Sequence, residues 1–135
     1  MNDSIGIWNT LHDGEITVVE IRQGTVTMFV SIPYLRERLK PNGDSFILKL
    51  KGTKKIQFLD FDGEPKSDKW QDLAKNGIEI LSTDSKEMPV RVITTMGFLD
   101  LDFEKLEIQL DTGAPTSYED VRRACKDYWE EWSRK

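Results

Sequence analysis

The sequence predicts an α+β fold: a curled antiparallel sheet of about seven or eight strands, covered on one face by a C-terminal helix. Three observations predict it. Thr25–Ile32 alternates, with Val26, Met28, Val30 and Ile32 on one side and Thr25, Thr27, Phe29 and Ser31 on the other. That period of two belongs to a strand with one face in a core. Further short apolar runs recur along the chain, bounded by Gly, Pro, Asn and Asp, the punctuation of antiparallel strands. Only the tail sustains a three- and four-residue period, the spacing of a helix face. A length of 135 residues fits a single domain with a real core. It divides into a β-rich portion, 1–112, and a helix over 116–134.

Residues 1–10 form a lead-in, with Ile5, Ile7 and Trp8 as anchors. Glu15–Arg22 and Thr25–Ile32 form a first hairpin. Its connection, Gln23-Gly24, includes a glycine free to take positive φ. Pro33 ends the second strand and opens about one and a half helical turns over Tyr34–Leu39. Pro41-Asn42-Gly43-Asp44 is a turn. Ser45–Lys51 and Lys54–Phe61 predict a second hairpin joined at Gly52-Thr53. Ser67–Asn76 predicts a short helix, capped by Ser67 or Asp68 and stopped by Asn76-Gly77. Ile78–Leu81 and Val90–Met96 are strands, the latter started by Pro89. Phe98–Phe103 and Leu106–Leu110 predict a third hairpin, with Gly97 at a turn before it. In the tail, Thr116-x-x-Glu119 has the form of a capping box. The stripe Tyr118, Val121, Cys125, Tyr128, Trp129 and Trp132 follows.

Bulk composition excludes several function classes. The net charge of −5 disfavours nucleic acid as a partner, because phosphate neutralisation needs a basic face. The basic stretch Arg36–Lys55 is expected to be balanced by acidic neighbours across strands. The lone Cys125 cannot form an internal disulfide or a multi-cysteine metal site, and fits a reducing cytoplasm. No apolar run is long enough to span a bilayer, and MNDSIGIWN is no signal sequence. A soluble cytoplasmic protein without a cofactor is expected.

Two clusters are candidates for chemistry. His12, Asp13 and Glu15 include the only histidine, and one imidazole with two carboxylates can ligate a divalent metal or do acid–base work. The competing expectation is a plain turn before a strand. The second cluster comprises acidic rows at Asp60 and Asp62 and at Asp100, Asp102 and Glu104. Acids at alternate positions share a strand face and suit a basic protein partner. A calcium loop is disfavoured there, since Pro65 stands where its glycine belongs and Gln71 where its closing glutamate belongs. No Gly-x-Ser-x-Gly turn or phosphate loop is present, so an enzyme is not the first expectation. The alternatives are a small metal-binding protein or hydrolase at His12, Asp13 and Glu15, or a ligand-binding domain with an apolar pocket inside the curled sheet.

Trp8-Asn9-Thr10-Leu11-His12-Asp13-Gly14-Glu15-Ile16 resembles the opening of a group of small bacterial domains. These carry an aromatic, a short gap and an apolar-His-Asp-small-Glu-apolar motif. They are immunity proteins found beside polymorphic toxins, and uncharacterised relatives. The likeness continues in Phe46–Gly52 and in Gly97–Leu110. The resemblance implies a non-enzymatic protein that binds and blocks a toxin, and it carries over no toxin-contact residues.

Overall fold

The structure, a computed structural model, describes residues 3–39, 43–66, 75 and 77–133. Its order is α1 (Asp3–Thr10), β1 (Glu15–Arg22), β2 (Thr25–Ser31), α2 (Pro33–Arg36), β3 (Ser45–Lys51) and β4 (Lys55–Leu59). There follow β5 (Ile78–Thr83), β6 (Val90–Thr94), β7 (Gly97–Asp102), β8 (Lys105–Leu110), β9 (Pro115–Thr116) and α3 (Tyr118–Ser133). The expected helix over 67–76 and the Pro41-Asn42 corner lie outside the described residues, Lys75 apart. The nine strands form one antiparallel sheet that is not closed, in the order β4-β7-β6-β5-β1-β2-β3-β8-β9.

The first hairpin forms as its alternation predicts. Arg22 pairs with Thr25 across Gln23-Gly24, whose φ angles are 51° and 77°. Two positive φ values match the twist of the flanking strands. Val26, Met28 and Val30 face the core, while Thr25, Thr27 and Phe29 are only half-buried.

The second and third expected hairpins do not form. β3 pairs with β2 on one side and β8 on the other, so neither of its edges is open to β4. β4 pairs with β7 instead. Gly52-Thr53 is a bend rather than a reversal: the Thr53 N–H turns away and donates to the Gly24 carbonyl (2.9 Å). The ladder continues through the bend. Lys54 N–H donates to Asp102 O (2.7 Å), and Glu104 N–H donates to Lys51 O (2.9 Å). Thus β3–β4 and β7–β8 are two long strands of one bent ribbon, with Lys51 opposite Lys105 before the bend and Lys55 opposite Asp102 after it. The short reversal lies elsewhere, at Thr95-Met96 between β6 and β7.

The lead-in is a helix. Trp8 is buried, and its indole N–H donates to Ser4 O one turn earlier (2.8 Å). α1 touches both β5 and β8, which stand four places apart in the sheet. Eight residues of helix span only ~12 Å, so the sheet curls strongly around it. The concave side, where an enclosed ligand would sit, is filled by Trp8, Phe46, Met28 and Leu48, all with no exposed surface.

α3 packs against the sheet through α1 and α2, with Val121 and Ala124 entering the core. Its cap is Ser117 rather than Thr116. Asp120 N–H donates to Ser117 Oγ (3.1 Å), and Val121 N–H to Ser117 O (3.1 Å). Thr116 is held in β9, opposite Ile108, and an extended residue there leaves the cap to its neighbour.

Candidate functional site: an aromatic patch at the end of the C-terminal helix

The apolar stripe of α3 outruns the core. Val121 is buried, Tyr128 and Trp129 are half-buried, and Trp132 is 60% exposed. The last turn meets two other segments. Tyr34, at the start of α2, packs on Tyr128 with ring centres 4.4 Å apart, and its hydroxyl donates to the His12 carbonyl (3.1 Å). The His12 ring stacks on Trp129 at 5.3 Å and 23°. Trp129 makes edge contacts with Tyr128 (5.0 Å) and Trp132 (5.9 Å). The Arg38 guanidinium lies 5.3 Å over the Tyr128 ring and ion-pairs with Glu131. Five rings and one guanidinium from three segments therefore form one contiguous surface.

Two groups at this patch resist ionisation. Burial, aided by the Cys125, Asp13 and Tyr128 neighbours, pushes the Tyr34 hydroxyl far above its ordinary value. Burial also raises the Cys125 thiol, against a smaller lowering by the Trp129 indole one turn on. The thiol is spent on the Thr10 carbonyl (3.5 Å). A phenol and a thiol that resist ionisation are poor bases and nucleophiles.

The His12-Asp13-Gly14 segment is a turn tied to β5. Asp13 adopts φ 70°, its N–H donates to Ile80 O (2.7 Å), and Ile80 N–H donates to Gly14 O (2.8 Å). His12 Nε2 stands 3.6 Å from Asp13 Oδ2, and Glu15 opens β1 with an exposed side chain. Among the described residues no group of three or more His, Cys, Asp or Glu side chains is placed to hold a metal ion.

The residues of the acidic rows take different partners. Asp100 is only 6% exposed, and both its oxygens accept from Arg91 (2.7 and 2.8 Å). Asp102 stands opposite Lys55. Glu104 lies past the ribbon bend, against Gly52. Asp60 Oδ1 accepts the N–H groups of Asp62 (2.9 Å) and Glu64 (3.0 Å), so it organises its own turn. Asp62 remains exposed. Within Arg36–Lys55, acids balance the bases: Arg36 meets Asp111, Arg38 meets Glu131, Lys51 meets Glu107, and Lys55 lies 4.0 Å from Asp100.

Sequence reading found the aromatics of α3 but missed Tyr34, Arg38 and the role of His12. The only local signal was Tyr34 directly after a strand-ending proline. Comparison of the chain with family models, curated proteins and solved structures finds no match. No helix among the described residues is long and apolar enough to cross a membrane.

Proposed function

We propose that the chain is a non-enzymatic protein-binding domain whose anchor is the patch built by Trp132, Trp129, Tyr128, Tyr34 and Arg38. The observation that supports this reading most is the 60% exposure of Trp132 at the open end of a ring cluster packed from three segments. Trp, Tyr and Arg dominate binding energy in protein interfaces, because they bury large areas with few rotors to immobilise. The neighbouring rings hold the Trp132 side in place before any partner arrives, which lowers the entropic cost of docking. The partner class we propose is a bacterial toxin blocked stoichiometrically, following the resemblance around His12-Asp13-Gly14-Glu15.

The test is co-expression with the toxin encoded beside the gene, followed by calorimetry with the purified pair. The wild-type chain should restore growth. Trp132→Ala should weaken binding by ~10- to 30-fold, or ~1.4–2 kcal/mol. An exposed side chain can be truncated at a stability cost within ~0.5 kcal/mol. Equal affinity of Trp132→Ala and wild type would remove the patch from the reading. Absence of rescue and of binding would remove the toxin.

A further inference from the structure

A second apolar feature lies on the opposite kind of element, a rigid turn beside the outer face of β4–β7–β6. The chain leaves β4 at Leu59 and reverses through Asp60–Gly63. Asp60 N–H donates to Glu64 O (2.9 Å), Gly63 N–H donates to Asp60 O (2.9 Å), and Lys66 N–H donates to Phe58 O (2.8 Å). With the two bonds that Asp60 Oδ1 accepts, five hydrogen bonds fix a short turn. At its tip Phe61 is 58% exposed.

The exposed ring does not stand alone. Phe61 meets Phe98 of β7 edge-on, with ring centres 5.5 Å apart. The Arg91 guanidinium lies 5.0 Å over the Phe98 ring, and Asp100 holds it through two hydrogen bonds. The floor under Phe61 is thus immobilised before binding. Holding an apolar knob in place costs a partner little entropy. The surrounding charge selects that partner. Asp60 is consumed by the turn and Asp100 by Arg91. The exposed carboxylates of Asp62 and Glu64 make no ion pair among the described residues. An aromatic knob followed by two exposed acids, Asp62 and Glu64, with no ion pair among the described residues is complementary to an apolar hole with a basic rim.

We propose that the Asp60–Glu64 turn is a second docking surface, on which Phe61 enters an apolar hole of a basic protein partner while Asp62 and Glu64 meet the positive rim. This rests on the protein-binding reading in general but not on the Trp132 patch, which it does not include.

The experiment titrates the full chain with an amphipathic Lys/Leu peptide, and with its Glu/Leu counterpart, by calorimetry at low and physiological salt. The Lys/Leu peptide should bind, and Phe61→Ala should weaken it tenfold or more. The double substitution Asp62→Asn with Glu64→Gln should weaken it several-fold and flatten its salt dependence. Trp132→Ala should leave it unchanged, so failure at one surface is separable from failure at the other. Phe61 is exposed, so the Phe61→Ala chain keeps its fold, and an unchanged melting curve verifies that. The proposal is overturned if the Lys/Leu peptide does not bind, if Phe61→Ala binds it like wild type, or if the Glu/Leu peptide binds equally.

Discussion

Arg36 is the one cation with no exposed surface among the described residues, and Asp111 is what makes its burial tolerable. Asp111 Oδ1 accepts from Arg36 Nε (3.1 Å) and Nη2 (2.8 Å), while Oδ2 accepts the N–H groups of Asp44 (3.1 Å) and Ser45 (3.2 Å). Arg36 also donates to Ser45 O (3.0 Å) and Leu39 O (3.2 Å), so one guanidinium ties α2 to the start of β3 and the end of β8. Removing one member of such a pair strands the other charge. Asp111→Asn should cost ~2–4 kcal/mol in urea denaturation, because the amide replaces a charge-assisted acceptor with a neutral one. Burial pushes the Asp111 carboxyl up, but the Asp44 N–H, the Arg36 guanidinium and the Ser45 N–H outweigh it and hold the group below its ordinary value. A carboxyl that is more acidic when folded stabilises the protein above its unfolded pKa and loses that stabilisation as pH falls through the folded one. Stability should therefore drop on acidification below about pH 4, and this part of the drop should be missing from Asp111→Asn. Gly97 makes a second residue-scale prediction. Its φ is 143°, and a Cβ there would collide with the Leu59 carbonyl oxygen. Gly97→Ala should cost at least ~2 kcal/mol by the same measurement, through strain and a displaced β4.

At the scale of elements, the sequence revealed strands far better than their partners. Alternation is a local property, and it located β1, β2 and β3 to within a residue. Pairing is decided by which edges are free, and β8 takes the β3 edge from nearly sixty residues away in the chain. Nothing in Gly52-Thr53 itself distinguishes a bend from a reversal. α1 was hidden for a different reason: Ile5 and Ile7 alternate like a strand, and Gly6 between them lowers helix propensity. The aromatic patch was half legible, since the α3 stripe repeats at helical spacing while Tyr34 and His12 join it only in three dimensions. The cap of α3 shows how small the margin is. Thr116-x-x-Glu119 and Ser117-x-x-Asp120 are one residue apart and chemically alike, and the two-residue strand β9 decides between them. Ser117→Ala should cost ~1 kcal/mol, the usual loss of a capping hydroxyl, whereas Thr116→Ala should cost appreciably less. Thermal melts of the two variants, followed by helix ellipticity at the same pH, compare them directly.

The whole molecule is held as one unit by the ribbon that β3–β4 and β7–β8 form. Without it the sheet would be two halves, β4-β7-β6-β5 and β1-β2-β3-β8-β9, joined among the described residues by the short run in which residues 13–16 meet 78–80 of β5. That seam is short and places two carboxylates opposite each other, an arrangement that is mildly destabilising across strands. The ribbon supplies the missing continuity, because each of its strands belongs to both halves and the ladder is not interrupted at the bend. α1 adds a third link by touching β5 and β8 together. A fold linked in this way should unfold in a single transition even though its sheet has two parts. Phe58→Ala on β4 and Met28→Ala on β2 remove buried side chains from the two halves. Large-to-small changes of this kind cost ~2–5 kcal/mol each. Both variants should move one common urea midpoint, with tryptophan fluorescence and far-ultraviolet ellipticity superimposing in each. If the halves were independent, the two probes would separate, since Trp8, Trp129 and Trp132 all lie in helices and would track α1 and α3 rather than the strands. A split transition in Phe58→Ala, with the β2 half still folded, would show that the bent ribbon does not couple the two.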